Sequence, residues 1–599
     1  MAPYRSAREP RAAPAAPEQG LVADMVRQFA DPYAFLRELV QNGMDAGARR
    51  IAVCVELMPG GVSAISVSDD GCGMTREGIE GPLLTLFISS KEGDEGKIGK
   101  YGVGFVSVFA LGPIGVEVET WRDGRAWHLR LQPDYSYELE DAGGREGSGT
   151  RVTLLQKMDR DGFPAHAARA GAALRRWCRH AECEIELRVV DLDAPAELSA
   201  QGGAPDVERI DTPLSVAAAV SVTLTADDLT VIVGPSAGAA RLAPGPPGGA
   251  EEAAGGPRPG APTADEPDAG PRFAGFYNRG LTLFETADEV FEGLSGVRFK
   301  VMSRRFQHTL SRDNVRRDEA FREALSRVRE AVKGPLRREL AARLGPAAAA
   351  AAEGRDVKRF IALLEAALTP PTELDRDEIP FPLAHPIQGA SARADLGAIV
   401  PRGEPLLTAG LKTALSEAVS RSGRPVVLCK HDEIRALLRR CYPKRRVAAV
   451  RAEFVLVRGA QSEPGEADTA LGGAVGEALA RAGREVSRIA FCQILGAHGK
   501  RAAILVADEG QEGPWLCSAL EVEQRARRWR PTDALHLNVR SGTVAVARRR
   551  AAADPIAAGA LLARALLVEA RGPLDAGDSD RLLDLGQAGA ARPARRARS

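Results

Sequence analysis

Hydrophobic positions between residues 21 and 190 change period along the chain. The run from Tyr33 to Ala46 repeats at helical spacing, and it gives way to IAVCVEL (51–57) and AISVSD (64–69), where valine and isoleucine alternate with polar residues as on half-buried strands. Five more strand-like runs follow at 115–121, 125–132, 135–140, 149–155 and 183–190, with GSG and DG dipeptides supplying turns. One helix followed by many strands predicts an α+β fold whose sheet is mostly antiparallel and layered against helices.

Beyond residue 190 the pattern divides the chain again. Residues 191–234 read as a strand-rich connector, and 235–271 are so rich in Gly, Pro and Ala (GPPGGAEEAAGGPRPGAP) that they predict a flexible linker. A middle α/β domain is expected over 272–345, from the strand-like FAGFYNRGLTLFE (273–285) and VRFKVMS (297–303) to a helix over 318–344. A C-terminal α/β region over 355–585 is expected to alternate helices at 406–420 and 555–570 with strands at 425–430, 452–459, 488–495 and 501–508. Residues 1–20 predict a disordered start and 586–599 a basic, solvated tail.

Composition narrows the function classes. The 599 residues are too many for one core, and equal counts of 80 basic and 80 acidic residues leave no net field drawing the whole chain to nucleic acid or membrane. The eight cysteines form no CxxC pair, which fits a reduced, cytoplasmic interior. No apolar stretch is long enough to span a bilayer, so a soluble protein without a membrane partner is expected.

Candidate chemistry is concentrated near the start. In FLRELVQNGMDAGA, Glu38, Asn42 and Asp45 fall at i, i+4 and i+7 and share one helix face. In SVSDDGCGMT (66–75) a strand delivers Asp69, and Gly71 and Gly73 then permit a sharp turn and a close approach to a flat ligand. In KIGKYGVGFVSVFALG (97–112), Gly99, Gly102 and Gly104 run into an apolar helix, an arrangement that leaves backbone N–H groups for phosphate oxygens. Finally GSGTRVTLL (147–155) opens a strand with Thr150. Each element alone occurs in ordinary turns and amphipathic helices, but the four come in order and suit one ligand. No G-x-x-x-x-G-K-[ST] string offers a rival phosphate loop.

This combination resembles the ATPase superfamily (GHKL, Bergerat-type fold) that unites gyrase, heat-shock chaperones, histidine kinases and mismatch-repair proteins. The resemblance implies that 21–190 bind ATP with Mg²⁺ in a two-layer α/β sandwich. It implies that Asp69 accepts from the adenine amino group, Asn42 ligates Mg²⁺, Glu38 acts as general base on water and Asp45 orients nucleotide or water. Met74 would pack on the purine, Thr150 would support its pocket, and Gly71, Gly73, Gly99, Gly102, Val103, Gly104 and Phe105 would line the rest. Residues 275–286 and 294–321 are similar to the middle domain of the ninety-kilodalton heat-shock chaperone family, where the arginine of a Ser-Arg-acid string, here Ser311-Arg312-Asp313, reaches the γ-phosphate. That likeness implies an ATP-hydrolysing chaperone with client proteins, unfolded-protein binding and a possible homodimer. The alternative is a nucleotide-gated, nucleic-acid-associated switch of the mismatch-repair type, using Arg298, Lys300, Arg304, Arg305, Arg312, Arg316 and Arg317 as a basic face.

Overall fold

The computed structural model describes residues 26, 31–84, 103–192, 207–237, 273–309, 314–385, 396–459, 464–508, 510 and 513–571. They fall into two compact units, residues 1–336 and 337–599.

The first unit begins with the candidate helix. Asp31 accepts a hydrogen bond from the Tyr33 N–H (2.9 Å) and Pro32 opens a short 3₁₀ turn, so the chain enters helix α1 (Phe35–Asp45) already capped. Phe35, Leu36, Leu39, Val40 and Met44 of α1 are buried. The helix stops at Gly47, whose left-handed backbone (φ 77°) and N–H bond to the Met44 carbonyl close the last turn.

Strands β1 (Arg50–Met58), β2 (Val62–Asp69), β3 (Gly115–Arg122), β4 (Arg125–Leu131), β5 (Tyr137–Gly143), β6 (Gly149–Lys157), β7 (Glu184–Asp191) and β8 (Val207–Arg209) form one sheet, in the order β5-β4-β3-β6-β2-β1-β7-β8. Every neighbouring pair is antiparallel except β1 and β7. The alternation on β1 turns Ile51, Val53, Val55 and Leu57 inward, where they join α1 and the apolar side of a helix at Phe163–Cys178 in a single core. Helices on one side of a mainly antiparallel sheet make the expected α+β layers.

A second sheet in this unit has the order β12-β11-β13-β10-β9, from β9 (Val222–Ala226), β10 (Leu229–Pro235), β11 (Phe273–Asn278), β12 (Leu281–Thr286) and β13 (Val297–Met302). Part of the segment expected to be connector thus supplies two of its strands: β10 pairs with β13 from Thr230↔Met302 to Pro235↔Val297. Its core is aromatic. Phe276 is fully buried, with ring centroids of Phe321 at 4.9 Å, Phe291 at 5.8 Å, and Phe299 and Phe306 both at 5.9 Å.

The second unit contains a three-stranded parallel sheet, β15 (Val426–Leu428), β14 (Leu406–Ala409), β16 (Val447–Ala449), and a five-stranded mixed sheet that includes Phe454–Gly459, Ile489–Gly496 and Asp533–Asn538. The helix expected over 406–420 is instead strand β14 followed by a helix at Ala414–Arg421. Gly410 interrupts the apolar run, and Thr413 restarts it with a capping box to Ser416. The helix at Pro555–Arg571 packs on the one at Glu466–Arg481 through small and aliphatic side chains. Among the described residues no helix is long and apolar enough to cross a membrane.

Truncating the ring at the centre of the aromatic cluster should leave a cavity that its neighbours cannot fill. Phe276→Ala is expected to lower unfolding stability by about 3–5 kcal/mol, read as a fall in denaturant midpoint. Phe284→Ala, at the partly exposed edge of the same cluster, should cost much less.

Candidate functional site

The end of β2 and the end of α1 meet at one place. Gly43 of α1 faces Asp69 so closely that a Cβ there would lie 3.0 Å from the Ile51 side chain and 3.2 Å from the Asp69 Cβ. The Cys72 N–H donates to the Ala46 carbonyl (2.9 Å), which ties the loop after Asp69 to the C-terminus of the helix that carries Glu38 and Asn42.

The two consecutive aspartates have different employments. Asp70 Oδ1 accepts from the N–H groups of Arg49 (2.7 Å) and Arg50 (2.9 Å), so this carboxylate is consumed in holding the start of β1. Asp69 is half-buried, and its Oδ1 accepts from the Gly71 N–H at 2.9 Å. Burial raises its pKa above the ordinary carboxylate range, and the Gly71 N–H offsets this in part.

The loop then presses on the sheet. Gly73 has φ 63°, and a Cβ at this position would lie 2.1 Å from the Trp121 carbonyl oxygen, so only glycine fits. Next the Met74 N–H donates to Thr120 Oγ1 (2.8 Å), which lies 3.1 Å from both the Gly149 carbonyl and Thr150 Oγ1. With its single hydrogen given to Gly149, Thr120 must accept from Met74 and from the Thr150 hydroxyl. Asp69 is register-paired with Thr150 across β2 and β6. Asp69, Gly71, Gly73, Met74 and Thr150 are therefore gathered at one end of the sheet, and Thr120, which the sequence patterns did not single out, joins Met74, Gly149 and Thr150. A signal for it existed: Thr120 is a polar residue on the inward register of β3, behind Val116 and Val118.

On α1, Glu38 is buried while Asn42 is exposed, and Asp45 is drawn elsewhere. Its carboxylate accepts from Arg279 Nη1 at 2.8 Å, whereas the sequence reading had it orienting nucleotide or water. Of the glycine loop, Gly99 and Gly102 lie outside the described residues. The helix described at Val103–Val106 continues as a 3₁₀ helix at Ser107–Leu111, so the expected apolar helix is part α and part 3₁₀ over the described residues. Gly104 offers its carbonyl to the Ser107 hydroxyl, and Phe105 is buried in the sheet–helix core rather than lining a pocket.

Arg312, with Ser311 and Asp313, also lies outside the described residues; His308 and Val315 pair on either side of that stretch. The expected basic face divides in two: Arg304, Arg305, Arg316 and Arg317 are exposed, the other described members are not. Arg298 and Lys300 are buried, with Lys300 Nζ 3.0 Å from His180 Nε2. Arg304 faces Glu182 at 3.4 Å, Arg305 faces Glu323 at 2.6 Å, and Arg317 faces Glu289 at 2.6 Å. Sequence shows the charges of such residues but not their acidic partners, which come from other segments.

The donor set suits a purine nucleotide. A half-buried carboxylate backed by two threonine hydroxyls can accept from an exocyclic amine, the Gly71–Met74 turn brings backbone close to a flat ring, and the helix beside it carries a carboxylate and a carboxamide.

Residues 33–143 match the family described as histidine kinase-, DNA gyrase B- and HSP90-like ATPase. The DNA mismatch repair protein MutL of Rhizorhabdus wittichii is 30% identical over 190 residues, covering 30% of this chain and 31% of that protein. The chaperone protein HtpG of Methylococcus capsulatus is 30% identical over 193 residues, covering 27% and 30%, and that of Methylorubrum populi is 30% identical over 221 residues, covering 31% and 34%. The chain thus spans about a third of the length of the curated relatives it matches. Over the helix α1 to β5 segment, this protein carries an ATPase domain of the histidine kinase-, DNA gyrase B- and HSP90-like family.

Proposed function

We propose that the chain binds ATP with Mg²⁺, hydrolyses it, and uses the cycle to bring its domains together on a client protein, as a chaperone-like ATPase. The observation that carries this reading is the junction at Gly43, where the Glu38- and Asn42-bearing helix is seated directly against Asp69. In this reading Asp69 accepts from the adenine amino group and Thr150, through Thr120, holds the pocket wall. Met74 covers the ring. Bound magnesium would neutralise phosphate charge, with the Asn42 side-chain oxygen as one of few protein ligands. Glu38 takes the proton of the attacking water; its burial excludes competing solvent. Arg312 would offer its planar guanidinium to the γ-phosphate. The similarity to HtpG proteins of several organisms supports the chaperone side.

A second reading, a nucleotide-gated switch associated with nucleic acid, is favoured by the match to MutL. On this reading the exposed Arg304, Arg305, Arg316 and Arg317 supply the basic surface, while Arg298 and Lys300 are buried and do not. The two readings separate on binding to a short DNA duplex at low and high salt. Affinity that falls steeply with salt supports the switch, and no binding at low salt removes it.

In the full-length protein, Glu38→Ala should reduce ATP turnover by roughly 10²–10⁴ while leaving ATP binding in place. Arg312→Ala should also slow turnover. Full activity in both variants would reject this mechanism.

Asp69 supplies a test with opposite signs. A buried carboxyl with a raised pKa adds stability below its unfolded pKa and loses it as pH rises through the raised value, so ionised Asp69 costs stability at neutral pH. Asp69→Asn should therefore keep or raise the thermal midpoint at pH 7 while weakening ATP binding about tenfold to a hundredfold. Wild-type affinity should fall on acidification at a pH above that of an ordinary aspartate, measured by nucleotide titration.

A further inference from the structure

The tip of the β11–β12 hairpin reaches the C-terminus of α1. Its turn residues Arg279 and Gly280 both have positive φ (49° and 82°), as a tight two-residue hairpin turn requires. A Cβ on Gly280 would coincide with the His180 carbonyl oxygen, so the tip sits flush on the backbone that follows the Phe163–Cys178 helix. There Arg279 spreads its guanidinium over three acceptors. Nη1 donates to Asp45 Oδ1 (2.8 Å), Nη2 to the Met44 carbonyl (3.0 Å) and Nε to Glu182 Oε2 (3.4 Å). The Glu182 N–H returns a bond to the Arg279 carbonyl (3.3 Å). A cation placed on the last carbonyls of a helix is favoured by the helix dipole, and the planar fork fixes direction as well as distance. At the other end of the same helix, Arg37, next to Glu38, bonds His308 from the loop after β13. The sheet that contains β11 and β13 thus holds α1 at both ends.

We propose that Arg279 is a positioning residue for ATP hydrolysis: by clamping Met44 and Asp45 it sets the axial position and rotation of α1, and with them the placement of Asn42, one turn away, and of Glu38. This rests on the reading of α1 as the helix that carries the hydrolytic base and the magnesium ligand. Arg279 itself touches no reacting atom. Its loss should therefore appear in the rate of the chemical step and leave nucleotide affinity, dominated by Asp69 and the Gly71–Met74 turn, in place.

The test uses the full-length protein with Arg279→Ala and Arg279→Lys. We expect Arg279→Ala to lower kcat by roughly tenfold to a hundredfold with an unchanged ATP dissociation constant and thermal midpoint. Arg279→Lys, which can reach only one of the two α1 acceptors, should lie between it and wild type. Amide hydrogen exchange without nucleotide should rise in Arg279→Ala over residues 42–46 and stay at wild-type levels across β3 and β4. Unchanged kcat in Arg279→Ala overturns the proposal, as does a joint loss of kcat, affinity and thermal midpoint, which would mark general destabilisation. If wild type binds no ATP, the functional reading fails separately; the clamp is then judged by exchange alone, and unchanged protection over 42–46 overturns it.

Discussion

Helix α1 has an apolar face that must leave water, and it is buried in one core against the large sheet and the Phe163–Cys178 helix. That same buried face carries Gly43, which meets the strand end where Asp69 emerges, and so brings the helix of Glu38 and Asn42 beside it. The contact is tight: a Cβ at position 43 would require Ile51 or Asp69 to give by a few tenths of an ångström. Hydrophobic burial, which has no direction of its own, is thus joined here to the placement of a carboxylate.

The polar groups follow from this seat. Asp70 fastens the chain where β1 begins, which frees Asp69 to carry a partly desolvated charge, and Thr120 converts three separate strand and loop segments into one hydrogen-bonded wall. Burial raises the pKa of Asp69, and the backbone N–H groups of Gly71 and Thr150 offset only part of that, so the domain keeps a desolvation cost at this point.

What could be read in the sequence was local. The i, i+4, i+7 polar stripe of α1 and the D-x-G-x-G turn keep their meaning over a few residues, because helix and turn geometry are set by near neighbours. The seven strand runs of the first sheet were legible for the same reason, since their alternation reflects one wet face and one dry face. Leu406–Ala409 was misread because a parallel strand buried on both faces has no alternation to show. Arg279 was invisible as a functional residue, since its partners lie on α1 and after the Phe163–Cys178 helix, far away in the chain. The basic run shows the mirror image: its charges were plain, but neither the burial of Arg298 and Lys300 nor the carboxylates that face Arg304, Arg305 and Arg317 from other segments could be read from it.

The single parallel pair in the large sheet has a consequence during synthesis. β1 lies between β2, which follows it at once, and β7, which the ribosome delivers only after the entire nucleotide-binding wall has been made. At ordinary elongation rates the interval is on the order of ten seconds. Throughout it one edge of β1 has unpaired backbone groups, and the apolar residues that will meet the Phe163–Cys178 helix have nothing to cover them. For a nascent chain this is an aggregation-prone window, which can close only when residue 191 has emerged.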